Sequence, residues 1–238
     1  MKFSHSFTQD LADLMHEAEH GEPFAFVRFA DGERAILENK VDTRTADGWK
    51  IGNEWMRKAL HQALIANLPR YVRGVPCPCC DIDGHPWYVQ AILGDDDCYG
   101  PAPLTYSNLF VNGNYDTALP WLRGLARNWC VVSSAWGSDI RVPADWSKIK
   151  DLESLVGTTF SKMDTERRPL LVAAGPLGKL LIHRYWRDGW RANTILDIGS
   201  AIDPDLFGRN TRGYHDGHHP NRKKVCTWEL NAARTSGG

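Results

Sequence analysis

The run FVRFADGE places Asp31 and Glu33 two residues apart around Gly32, directly after an apolar stretch. Two carboxylates flanking a glycine can turn toward one ion, an arrangement that holds a divalent cation against a diphosphate. An Asp-Gly turn entering a helix accounts for the same residues. Further on, PLLVAAG runs into Gly175-Pro176-Leu177-Gly178-Lys179. Gly175 and Gly178 let backbone N–H groups approach an anion, the start of a helix favours negative charge, and Lys179 adds a cation. A plain strand-to-helix turn with Pro176 at the first helical position fits as well. The spacing is not the six-residue dinucleotide fingerprint, which disfavours a nicotinamide enzyme. A third group, Asp197, Asp203 and Asp205 followed by Arg209, Arg212 and His215, offers acid/base groups and clamps for a diphosphate, or surface ion pairs.

VPCPCCDIDGH contains Cys77-x-x-Cys80 with Cys79 between them and His85 five residues beyond, and Cys98 closes the segment. Cys-x-x-Cys lets a short turn offer two thiolates to tetrahedral zinc. Structural Zn²⁺ held by Cys77 and Cys80 would take two more ligands from His85, Cys98, Cys226 or the histidines at 215–219. Cysteines packed against a sheet, with no metal, are the competing expectation.

The elements that must position these groups follow from pattern. Leu11, Leu14, Met15 and Ala18 recur at helical spacing up to Gly21, and a second helix runs from Trp55 to Leu68 before Pro69. Residues 24–29, 71–75, 129–134, 169–175 and 193–199 are short apolar, β-prone runs, and 104–111 is a strand or a buried turn. Helices are expected over YDTALPWLRGLARN and PLGKLLIHRYWRDG. Strands alternating with helices predict a Rossmann-like α/β fold, a mostly parallel sheet covered on both faces. One domain spanning 1–238 is expected, with 76–104 as a loop-like Cys/Pro-rich insert and 203–238 as a basic, His-rich extension. Ligands of such a sheet bind beyond the carboxyl ends of its strands, where the three polar groups fall.

The 238 residues are 42% hydrophobic and 24% charged, with a net charge of −1, so disorder is excluded as the main state. No apolar run approaches the roughly 18 residues needed to cross a bilayer, and the N-terminus lacks a secretory apolar region, so no membrane partner and a cytoplasmic location are expected. Residues 1–150 carry 15 basic and 19 acidic side chains, whereas residues 151–238 carry 13 and 10. A uniformly basic nucleic-acid coat is ruled out, but a local basic tail through Arg222, Lys223 and Lys224 is not.

Taken in order, FVRFADGE, YSNLFVNGNYD and LLVAAGPLGKLLIHRYW…TILDIGSAID resemble the glycosyltransferases of the D-type fold, a family first described as a domain of unknown function. The resemblance covers roughly residues 24–205. It implies a nucleotide-sugar donor, a UDP-sugar, with Mn²⁺ or Mg²⁺ at Asp31 and Glu33, Arg28 beside the diphosphate, and Ser107 and Asn108 on donor or acceptor hydroxyls. Ala30 departs from the family's usual glycine. The cysteine insert and the TRGYH tail look more like phage-encoded relatives linked to DNA hypermodification, inside a bacterial host. That likeness implies an acceptor hydroxyl on a 5-hydroxymethylpyrimidine in DNA, with a cell-surface glycan or glycopeptide as the alternative. Asp203 and Asp205, then His215, are the candidate bases. Two rivals are a zinc-stabilised nucleic-acid-binding module without catalysis and a nucleotide-binding hydrolase.

Overall fold

A computed structural model describes residues 3–39, 54–93, 103–144, 151–189 and 191–228. The elements in chain order are α1 (Phe7–His20), β1 (Ala25–Arg28), α2 (Asp31–Leu37), α3 (Glu54–Ile65), β2 (Tyr71–Val75), α4 (Gly84–Leu93), β3 (Leu104–Tyr106) and α5 (Tyr115–Ala126). They continue as β4 (Cys130–Ser133), β5 (Ile140–Arg141), α6 (Leu152–Thr165), β6 (Leu170–Ala173), α7 (Gly175–Asp188), β7 (Ile195–Asp197) and α8 (Asp203–Phe207). The seven strands form one sheet in the order β3-β2-β1-β7-β6-β4-β5, and every pairing is parallel. The expected Rossmann-like α/β class is therefore observed.

The pleat divides each strand between two cores. Ala25 and Val27 of β1, Leu170 and Val172 of β6 and Ile195 of β7 pack with α3, α6 and α7 on one face. Phe26, Leu171 and Leu196, one residue out of phase, pack with α1, α5 and the segment after β7 on the other. Alternation between two buried faces explains why these strands are continuous apolar runs. Consecutive strands β1, β2 and β3 step outward in one direction, and the later strands fill the other side of β1. The crevice between β1 and β7 is thus the switch point of the sheet, where open α/β folds bind ligands.

The insert is less loop-like than expected: residues 84–93 form α4, which buries Tyr88 and Ile92 in the first core. Three elements have no counterpart in the sequence pattern: β5, α6 and the five-residue α8. The two-residue β5 is too short to show a pattern, and α6, capped by Asp151 accepting from the Ser154 N–H, lies over a segment left unassigned. The residues after 203 are packed into the second core through Tyr214 and Cys226.

Asp10 ties α1 to the sheet edge from a fully buried position. Its carboxylate accepts from the Ser4 N–H at 3.0 Å and the Thr105 hydroxyl at 2.7 Å. Asp10→Ala orphans both donors and is expected to lower unfolding free energy by about 1–3 kcal/mol, measured as a fall in the urea midpoint.

Candidate functional site

A cleft of about 290 Å³ opens at the carboxyl ends of β1, β6 and β7. Arg28, Asp31, Glu33, Gly175, Lys179, Asp203 and Arg212 all line it, so all three polar groups of the sequence contribute. Gly175 begins α7 with φ +53°, a left-handed conformation that glycine adopts without strain. Gly178 does not line the cleft. Its role is packing, since an added Cβ would lie 3.0 Å from Val172 of β6.

Three buried side chains form the floor. The Lys179 ammonium lies 2.9 Å from Asp197 Oδ2 and 3.2 Å from Glu33 Oε1. Glu33 Oε2 accepts from the Ala30 N–H at 2.9 Å, which caps α2. Asp197 accepts from the backbone N–H groups of Arg28 and Gly199, at 3.1 and 3.0 Å. Burial by itself lowers the pKa of Lys179, but the charges of Asp197 and then Glu33 outweigh it and raise the pKa above the ordinary 10.5.

This arrangement corrects the expectation of a metal-binding pair. Positions two apart at a helix start point in different directions. Asp31 is exposed at the cleft, whereas Glu33 is buried and already paired with Lys179. Among the described residues, the only group of three or more His, Cys, Asp or Glu side chains close enough to share an ion is that of the cysteines. Glu33, committed to Lys179 and the Ala30 N–H, leaves Asp31 as the carboxylate of the pair that is exposed at the cleft.

Arg28 supplies the accessible positive charge differently. Its guanidinium donates to the Ser107 carbonyl and to the Ile198 carbonyl, the latter at 3.0 Å, and neither acceptor carries a formal charge. Gly199, φ +53°, sits against it, and a Cβ there would overlap the guanidinium. Arg212 enters from the tail, from a turn held by His215, whose Nδ1 accepts from the Thr211 and Arg212 N–H groups and whose Nε2 lies 2.8 Å from the Ser200 carbonyl. His215 is therefore a buried structural histidine and not a base facing the cleft. Its pKa is lowered, chiefly by burial. Tyr214 lines the cleft with its hydroxyl on that of Ser200.

Of the candidate bases, Asp203 is the one brought to the cleft. It lines the cleft, Oδ2 accepts from the Thr211 hydroxyl at 2.5 Å, and burial raises its pKa despite that bond and nearby His215. Asp205 instead pairs with Arg123 at 3.0 Å and does not line the cleft. Ser107 serves Arg28 through its carbonyl.

Asn108 is the larger departure. Its amide nitrogen lies 3.0 Å from Cys226 Sγ and 3.3 Å from Cys80 Sγ, directed at the cysteines. Cys77, Cys79, Cys80 and Cys226 bring their sulfurs within 4.8 Å of one another, a group that could hold a metal ion. His85 is outside it, with Nδ1 2.8 Å from the Pro76 carbonyl, and Cys98 lies outside the described residues. The basic tail is also partly committed internally. Arg222 pairs with Asp116 and stacks on Tyr115, and Lys224 donates to the Cys79 carbonyl at 3.0 Å.

One feature of the rim had no motif to announce it. Trp136, 84% exposed, follows Ser134 of the cleft wall, and the Arg141 guanidinium covers its ring at 3.7 Å. Only the end of β5 makes that pairing, and β5 is invisible as a sequence pattern.

No family profile and no curated protein matches the chain. Solved structures do. A protein described as a new glycosyltransferase (DUF1792) from Streptococcus sanguinis aligns over 97% of this chain and 96% of its own, with 17% identity and a TM-score of 0.55. The domain of unknown function 1792 described as having a distinct glycosyltransferase fold aligns over 94% of this chain and 91% of its own, with 16% identity and a TM-score of 0.52. A selenomethionine-substituted structure of domain 1792 gives the same coverage and identity at 0.55. The chain has the fold of this glycosyltransferase group.

Lys179→Met leaves Glu33 and Asp197 buried without their cation and is expected to cost about 3–5 kcal/mol of stability. The pH dependence has a defined sign. A cation whose pKa is raised on folding contributes its full stabilisation below its unfolded value of 10.5 and loses it as pH rises through the folded value. Urea melts of wild type and Lys179→Met should differ by a constant margin at neutral pH and converge above pH 10.5.

Proposed function

We propose that this protein is a glycosyltransferase that moves a sugar from a nucleotide diphosphate, a UDP-sugar, to an acceptor hydroxyl. The observation that carries the reading is one cleft, at the sheet's switch point, holding Arg28 and Arg212 together with Asp203, a carboxylate whose pKa is raised by burial. The two guanidiniums and the start of α7 suit a diphosphate. Lys179 works differently: its ammonium lies between Glu33 and Asp197 and offsets one of their two negative charges, which weakens the floor's repulsion of the donor.

In the transfer, the acceptor oxygen attacks the anomeric carbon, the bond from that carbon to the diphosphate oxygen breaks, and its electron pair leaves with the nucleotide. Asp203 takes the hydroxyl proton, and its raised pKa makes it a stronger base than an ordinary aspartate. Arg28 and Arg212 stabilise the charge that develops on the leaving diphosphate. A divalent ion would be held by Asp31 together with the donor's phosphate oxygens, and would supply Lewis-acid stabilisation of the leaving group.

The acceptor is proposed to be a glycan whose sugar ring lies against the exposed Trp136, two residues beyond Ser134 of the cleft wall. A DNA acceptor has less behind it, because Arg222 and Lys224, two of the three cations of the local basic tail, are engaged within the protein.

Calorimetric titration with UDP-glucose and UDP-N-acetylglucosamine, each with EDTA or Mn²⁺, tests the donor. Binding that is lost in Arg28→Ala is expected, and no binding of any UDP-sugar rejects the reading. Asp203→Asn should retain donor binding while turnover falls by about 10²–10⁴-fold, the range of a general base. The acid limb of the wild-type kcat/KM profile should lie above pH 3.8, because the Asp203 carboxyl is raised from that value and must be ionised to act. Parallel acceptor screens with oligosaccharides and hydroxymethylated DNA decide between the two acceptors.

A further inference from the structure

We propose that Cys77, Cys79, Cys80 and Cys226 bind one zinc ion as a tetrathiolate, and that this ion staples the tail to the sheet edge so that Arg212 and Tyr214 are held over the cleft. The zinc site does not depend on the glycosyltransferase reading.

The geometry is that of one ion. Zinc–thiolate bonds of about 2.3 Å arranged tetrahedrally put sulfurs about 3.8 Å apart. Cys80 and Cys226 sulfurs are 3.8 Å apart, Cys79 and Cys80 4.0 Å, and Cys77 and Cys79 3.2 Å, with all six separations within 4.8 Å. Four sulfurs this close leave no room for a cluster of several irons, and an all-sulfur tetrahedron suits zinc. The turn after β2 makes the three local ligands converge: the Cys80 and Asp81 N–H groups both donate to the Cys77 carbonyl at 3.0 Å. The fourth ligand arrives from 146 residues further on.

The surroundings suit a charged thiolate group better than packed thiols. Four thiolates on one zinc carry a net charge of −2, which needs donors and a cation nearby. The Asn108 amide nitrogen lies 3.0, 3.3 and 3.9 Å from Cys226, Cys80 and Cys77. The Asn112 amide nitrogen lies 3.5 and 3.8 Å from Cys226 and Cys80. Lys224 reaches the Cys79 carbonyl at 3.0 Å. Amide donors to coordinated sulfur orient the ligands and tune the metal. They explain why two asparagines of the segment after β3 point into a group of sulfurs.

The consequence for the cleft follows from connectivity. The segment 107–112 has Asn108 and Asn112 on the sulfurs, while its Val111 lines the cleft and its Ser107 carbonyl holds Arg28. On the tail, the Lys224 carbonyl accepts from Gly113 at 2.9 Å, and Arg222 reaches the Tyr214 carbonyl at 3.2 Å. Zinc at this point joins the turn after β2 to the tail, beside the 107–112 segment, and adds a covalent tie to the hydrogen bonds, ion pair and apolar contacts already there.

Elemental analysis of the full chain, purified without chelator, should find about one zinc per chain, and X-ray absorption at the zinc edge should show four sulfur neighbours at about 2.3 Å. Asn108→Ala should weaken zinc retention against a colorimetric chelator by about 10-fold or more, as loss of a partner of a ligand does. Removing the zinc should accelerate hydrogen exchange over 211–226 and leave β1, β6 and β7 protected. Protein that carries no zinc and takes up neither Zn²⁺ nor Co²⁺ overturns the site, as does a nitrogen or oxygen ligand in the shell. Unchanged exchange over 211–226 in zinc-free protein overturns the staple. No readout involves a sugar nucleotide, so failed sugar transfer by zinc-loaded protein rejects the proposed function and leaves this inference intact.

Discussion

The ammonium of Lys179, 6% exposed, lies between two carboxylates that are themselves buried, and three chain segments meet there: the start of α2, the first turn of α7 and the end of β7. Bringing three charges out of water is costly, and mutual attraction repays it only when the remaining oxygens are hydrogen-bonded. Here they are. Ala30, Arg28 and Gly199 each donate a backbone N–H to the carboxylates. Those same bonds set the backbone of the β1 and β7 ends, so the direction in which Arg28 leaves the sheet follows from the triad. An apolar trio of equal volume could fill the space but would not orient these three N–H groups. The triad trades stability for a defined cleft floor.

The cleft's upper wall has a different physical basis. It is built from short irregular segments, and short segments bury too little apolar surface to hold themselves in place. Tyr214 and Cys226 reach the second core, and polar ties add to that packing: His215 on the Ser200 carbonyl, Arg222 on Asp116, Lys224 on the Cys79 carbonyl. Cations that would otherwise be available for phosphate are consumed in this role. Two of the tail's cations thus serve its attachment, while Arg212 lines the cleft.

Legibility in the sequence followed burial. The apolar runs at 24–29, 71–75, 169–175 and 193–199 are legible because central parallel strands are covered on both faces, and the ends of the first and the last two locate Arg28, Asp31, Lys179 and Asp197 through the topology of parallel sheets. Side-chain direction was not legible at the same positions. Asp31 and Glu33 are adjacent in any linear motif, yet the helix that begins at Asp31 turns one to solvent and the other to Lys179. Asp203 and Asp205 differ in the same way across one turn of α8, the first facing the cleft and the second Arg123. β5 and Trp136 were invisible because two residues carry no periodicity.

The cysteines show what spacing can and cannot convey. Cys77 and Cys80 match a ligand pair, and Cys226 was among several partners for them, but nothing in the spacing chooses Cys226 over His85 or the tail histidines. Tertiary structure makes the choice, by sending the tail back across the segment after β3. Asn108 then acquires a meaning that its place in a Ser-Asn run does not suggest. In a cleft built only for substrate hydroxyls its amide would face the donor; here it faces sulfur, and its neighbour's carbonyl faces Arg28. One dipeptide therefore couples the sulfur group to the guanidinium that lines the cleft.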